Sequence, residues 1–150
     1  MNALLMKIQE HFIHDKIAIP TATPRISRPR LLQRLTEQLY SANATILNGR
    51  AGSGKTMLAV DFSRNVGRAV AWYKVDAADN ELRLFCEYLT AAVRRQRPSI
   101  NVANLIELAA TVEGGNAELL ADALVFQLSE AKGEPLLIVI EDLHQIYDAE

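Results

Sequence analysis

Apolar positions along this chain switch repeatedly between helical and strand-like spacing. Leu4, Leu5, Ile8 and Phe12 recur with the helical period, predicting a short amphipathic helix over residues 3–13. In the run IAIPTATPRISRPR, Pro20, Pro24 and Pro29 enforce extended or turn backbone. Ser27 is placed to cap a helix reaching Tyr40, with Leu31, Leu32, Leu35 and Leu39 along one side. Residues 44–47 (ATIL) form a short β-favouring run, residues 57–66 read as helix, and Gly67 closes it. A second strand is predicted at 69–75 (AVAWYKV). Asp76 and Asp79 then stand where a helix N-terminus favours carboxylates, and the helix runs over 80–96 until Pro98 stops it. Further helices are predicted over 102–112 and 117–131. Residues 136–140 (LLIVI) read as a strand buried on both faces. Strands alternating with helices give an α/β fold, a layered sandwich around a mainly parallel sheet, with no internal repeat.

Composition narrows the function classes. Of the 150 residues, 49% are apolar and 23% charged, which excludes intrinsic disorder and supplies one packed core. No apolar run reaches the ~18 residues of a membrane span, and Lys7, Glu10, His11, His14 and Asp15 interrupt the N-terminal stretch too soon for a secretory signal. A single cysteine, Cys86, excludes an internal disulfide and fits a cytoplasmic protein. The net charge of −2 conceals a gradient: residues 1–60 carry eight basic and three acidic side chains, whereas residues 101–150 carry one and ten. The basic front lacks the dense Lys/Arg stripe with interleaved aromatics of a nucleic-acid face, so a small anionic ligand is the better expectation.

The chemistry of that ligand is legible at residues 49–56. Gly49, Arg50, Ala51, Gly52, Ser53, Gly54, Lys55 and Thr56 match G-x-x-x-x-G-K-[ST] in full, after a predicted strand and before a predicted helix. In that setting the backbone N–H groups turn inward around a β-phosphate, and the helix presents its positive end to it. Lys55 is the residue to bridge β- and γ-phosphates, and the Thr56 hydroxyl the one to ligate Mg²⁺. Downstream, Glu141 and Asp142 end a buried strand. This is where such a protein holds Mg²⁺ through water, and by position Glu141 takes that metal role while Asp142 orients the attacking water. The plainer alternative is a solvated carboxylate pair that begins a loop.

With these segments in hand, the chain resembles the ATPase module of MalT-like transcriptional activators, the large ATP-binding LuxR-type regulators within the STAND class of P-loop NTPases. IAIPTATPRISRPRLLQRL is similar to the family's lead-in, GRAGSGKT to its P-loop, and IVIEDLHQIYD to its Walker B segment. The most selective piece is AWYKVDAADN with the helix after it, similar to the family's W-x-x-[LV]-D-x-x-D-N segment. The resemblance implies a lead-in over residues 1–29 and a P-loop NTPase domain from residue 30. That domain would be a three-layer α/β/α sandwich left incomplete after Walker B, with the Walker B strand beside the P-loop strand. A helical lid, a sensor and a DNA-binding helix-turn-helix would lie beyond residue 150. It further implies ATP or ADP with Mg²⁺ as ligands, slow hydrolysis as a switch, and self-association on binding ATP and inducer. Two departures are visible. Glu141 stands where the family usually has Asp, and Met57 replaces a hydroxyl residue beside the α-phosphate while keeping its backbone N–H. Arg28 falls on the lead-in arginine and would bracket the nucleotide; the alternative is a surface arginine at a helix cap.

Other readings stay open. The run EDLH at 141–144 also fits a DExH-type helicase, although nothing between loop and box is like a strand-binding motif, and a small-molecule kinase is a third class. Asp76, Asp79 and Asn80 either face a γ-phosphate or cap a helix. His11 and His14 have helical spacing without a further metal-ligand partner, His144 steadies the loop after Glu141, and Arg94, Arg95 and Arg97 suit a helix C-terminus.

Overall fold

The computed structural model describes residues 14–100, 117–130 and 133–146. The helices predicted over 3–13 and 102–112, and His11, lie outside the described residues. The described residues form two compact units, one of residues 19–68 and one of residues 14–18 with those described from 69 onwards.

In the first unit, α1 (Pro29–Ser41) and α2 (Lys55–Asn65) pack together. Pro29 opens α1, where a missing N–H costs nothing and φ is already helical. The leucines at 31, 32, 35 and 39 line one side and are half-buried. Ser27 does not cap this helix. Arg28 occupies the N-cap without a side-chain bond, while the Ser27 hydroxyl donates to Asp61 Oδ2 at 3.0 Å. Arg64 donates to the Pro20 carbonyl at 2.8 Å, so α2 holds the proline-rich lead-in from two positions. Gly67, at φ +66°, ends α2 as expected. The strand expected at 44–47 is absent: these residues carry no regular structure and are exposed, with Ile46 at 89%. A strand exists only through its ladder, and β propensity alone cannot hold one without a partner.

In the second unit, β1 (Ala69–Lys74) and β2 (Leu136–Glu141) pair in parallel, with Ala71 opposite Ile138 and Lys74 opposite Glu141. Among the described residues this is the whole sheet. Ala71, Tyr73 and Val75 share a core with Ala92 and Val93 of α3 (Leu82–Gln96), joined by Leu136, Ile138 and Leu128 of α4 (Ala117–Glu130). Tyr73 meets Phe85 and Tyr88 with ring centroids 5.3 and 5.8 Å apart, contacts worth about 0.5–1.5 kcal/mol each beyond area burial. Both Trp72 and Tyr73 are buried. The strand at 136–140 is not buried on both faces: β2 is half-buried and Ile140 exposed, because a two-stranded sheet covers little of either strand. The helix predicted over 80–96 starts two residues later, as α3, and is preceded by a 3₁₀ turn (Ala77–Asn80), with extended Glu81 between.

Candidate functional site

The loop at 49–56 owes its shape to backbone that only glycine adopts readily. Gly52 and Gly54 have φ of +74° and +83°, and Gly54 is the N-cap of α2, so the chain turns sharply before the helix starts. Lys55 folds back over the loop. Its Nζ donates to the carbonyls of Gly49 at 2.9 Å and Arg50 at 3.2 Å, while Ser53 N–H closes a turn on Arg50 O at 3.2 Å. Residues 49–53 are exposed, and Lys55, Thr56 and Met57 partly so. Arg28 lies against this loop, since a Cβ at Gly54 would fall 2.9 Å from a guanidinium nitrogen. Two cations, Lys55 and Arg28, and the N-terminus of α2 are thus gathered in one unit. The guanidinium position was not readable in the sequence, which left Arg28 equally open as a helix cap.

Glu141 and Asp142 belong to the other unit. Glu141 is the last residue of β2, and its carbonyl accepts from Val75 N–H at 2.9 Å, tying the C-terminal ends of the two strands. Asp142 leaves the strand in the left-handed region at φ 57°, and its carbonyl accepts from Gln145 N–H at 2.9 Å in the 3₁₀ turn Leu143–Ile146. Aspartate is among the few side chains that tolerate this backbone. His144 is exposed on that turn, 3.3 Å from the Gln145 amide nitrogen.

Beside this strand end, Asp76 and Asp79 form a capping box. Asp76 accepts from Ala78 N–H and Asp79 from Asp76 N–H, both at 2.9 Å, so their carboxylates serve the turn as N-caps. Asp79 is fully buried. Lys16 neutralises it, with Nζ 2.6 Å from Asp79 Oδ1, 2.9 Å from Asp76 Oδ2, and 4.3 Å above the Tyr88 ring. Burial pulls the Lys16 ammonium down, but hydrogen bonds and charge from Asp76 and Asp79 outweigh it and hold its pKa above the ordinary lysine range. The Lys16 hydrogen bond holds Asp76 below the usual carboxylate range. Burial, and then the Asp79 charge, push the Tyr73 phenol far up. Sequence reasoning missed Lys16, which meets Asp79 across 63 positions with no local pattern linking them.

No protein-family model matches the chain. It is similar to the HTH-type transcriptional regulator MalT of Yersinia pestis (strain Pestoides F), 32% identical over 81% of this chain. MalT of Yersinia pseudotuberculosis serotype O:3 matches equally, and that of Yersinia enterocolitica is 30% identical over 81% of the chain. The chain spans about 14% of the length of the first of these relatives and 13% of the last. Sequence agreement at this level across four-fifths of its residues identifies the chain as MalT-like, matching one stretch of these HTH-type transcriptional regulators.

Proposed function

We propose that the chain is the ATP- and Mg²⁺-binding NTPase part of a MalT-like transcriptional regulator, in which bound nucleotide and slow hydrolysis set the state of the protein. The observation that carries this reading is the loop at 49–56, with two left-handed glycines, the α2 N-terminus and Lys55 closed on its carbonyls. Those carbonyl contacts keep the ammonium over the loop, where a phosphate would exchange them for stronger charge-assisted bonds. In this reading the N–H groups of residues 49–57 wrap the phosphates of ATP or ADP and Arg28 brackets the nucleotide. The Thr56 hydroxyl and Glu141, the latter through water, supply oxygen ligands of the kind Mg²⁺ prefers, and Asp142 orients the attacking water.

The complete protein would carry the rest of a three-layer α/β/α P-loop sandwich, with residues 1–29 as its lead-in. It would bind DNA through a C-terminal helix-turn-helix domain, self-associate on binding ATP and inducer, and work in the cytoplasm. Among the described residues no helix is long and apolar enough to cross a membrane.

Titration calorimetry of ATP with the full-length protein tests the site. Lys55→Ala should weaken binding at least about tenfold, the worth of a charge-assisted hydrogen bond. Unchanged affinity would remove the phosphate reading, and turnover stimulated by RNA or single-stranded DNA would favour a helicase.

A further inference from the structure

We infer that Lys16 and Asp79 are positioning residues for the strand end that carries Glu141 and Asp142, an inference whose functional half rests on the nucleotide reading above. The connection is continuous in bonded contacts. Lys16 Nζ holds Asp79 Oδ1 and Asp76 Oδ2, and Asp79 Oδ2 in turn accepts from Asp76 N–H. The adjacent Val75 N–H donates to Glu141 O, and Asp142 O accepts from Gln145 N–H in a 3₁₀ turn packed on the turn Ala77–Asn80. Ile17, next to Lys16, and Ile146, next to Gln145, both pack on the same core cluster.

The physical argument turns on Asp79. A fully buried carboxylate is tolerable only while paired, and Lys16 is the cation that the structure gives it. Without that ammonium the uncompensated charge favours opening of the turn, which lets water reach Asp79. Opening it releases Asp76 N–H and loosens the backbone just after Val75, hence the Val75–Glu141 bond. Glu141, at the end of the neighbouring strand, accepts from Val75 N–H, and Asp142 follows it at a left-handed φ with its carbonyl accepting from Gln145 N–H. A side chain in the lead-in thereby governs how well the carboxylates are held, without touching the ligand.

Amide hydrogen exchange on the nucleotide-free full-length protein reads this directly, with ATP titration and steady-state hydrolysis alongside. In Lys16→Met, exchange at Val75 and Gln145 should rise about tenfold or more while the amides of α2 keep parent rates. ATP affinity should stay within twofold of the parent, and kcat should fall with little change in KM. Lys16→Arg should restore protection. The double variant Lys16→Met/Asp79→Asn should be better protected than Lys16→Met alone, since it no longer buries an unpaired charge. Parent-like exchange at Val75 and Gln145 in Lys16→Met would overturn the inference. So would a rise spread evenly over the protein, or a double variant worse than the sum of the singles. If the parent protein binds no ATP the nucleotide reading fails, and the exchange result still decides the positioning role.

Discussion

Asp142 and Arg28 each combine a backbone duty with a proposed chemical one, and the two duties separate by substitution. At φ 57°, Asp142 stands where Asn is tolerated and Ala is strained by about 1–2 kcal/mol. Asp142→Asn should therefore keep parent stability and ATP binding while hydrolysis falls about 100-fold, the usual worth of a group that handles the proton of an attacking water. Asp142→Ala should lose stability as well, and urea denaturation beside single-turnover hydrolysis distinguishes the two. Parent-rate hydrolysis in Asp142→Asn would reverse the assignment in favour of Glu141. Arg28 sits at the N-cap of α1 without a side-chain cap bond, and its guanidinium lies against Gly54. Arg28→Ser should supply the missing cap and raise stability by about 1 kcal/mol. If the guanidinium brackets the nucleotide, ATP affinity should fall at the same time. A variant both more stable and equally tight for ATP would leave Arg28 as surface only.

Among the elements, the turn Ala77–Asn80 is the one whose stability depends most on ionisation. Asp76 is held below its ordinary 3.8, so its contribution is present above about pH 4 and is lost as acid carries the pH through the lower folded value. Lys16 is held above its ordinary 10.5; its contribution is complete below that value and is lost as the pH rises through the higher folded one. Urea midpoints should therefore be flat in this respect between about pH 5 and 9 and decline at both ends. Lys16→Met should flatten both limbs while lowering the plateau. An unaltered acid limb in that variant would show that Asp76 draws its shift from elsewhere. The same turn was legible in part. Asp76 and Asp79 read as N-caps from their place before an apolar-periodic helix, but the break at Glu81 did not, because nothing in the helical periodicity of 82–96 records a separate 3₁₀ turn ahead of it.

For the molecule as a whole, the weak point is unpaired β structure. Ile46 and Leu47 are exposed in a β-favouring segment without a ladder, and the sheet among the described residues has two strands, fewer than an independent sheet needs. The 150-residue chain by itself should therefore self-associate, with a sedimentation coefficient that rises with concentration. Ile46→Lys, which puts a charge on that edge, should shift it towards monomer. A parent chain that stays monomeric with a sharp two-state melt would show the segment to be harmless.

What the amino-acid order determined by itself was local. The glycine spacing and Lys55 of the 49–56 loop, the capping carboxylate at Asp76, the left-handed stop at Gly67 and the apolar runs of β1 and β2 all follow from interactions within a few residues. Tertiary structure decided whatever required a distant partner. The run at 44–47 has β propensity but found no ladder, Ser27 was drawn from its helix to Asp61, and Asp79 was buried because Lys16 came to it. Propensity and capping act through the nearest backbone, whereas strand pairing and charge burial depend on groups far apart in the chain, and their outcome is fixed only when the fold brings those groups together.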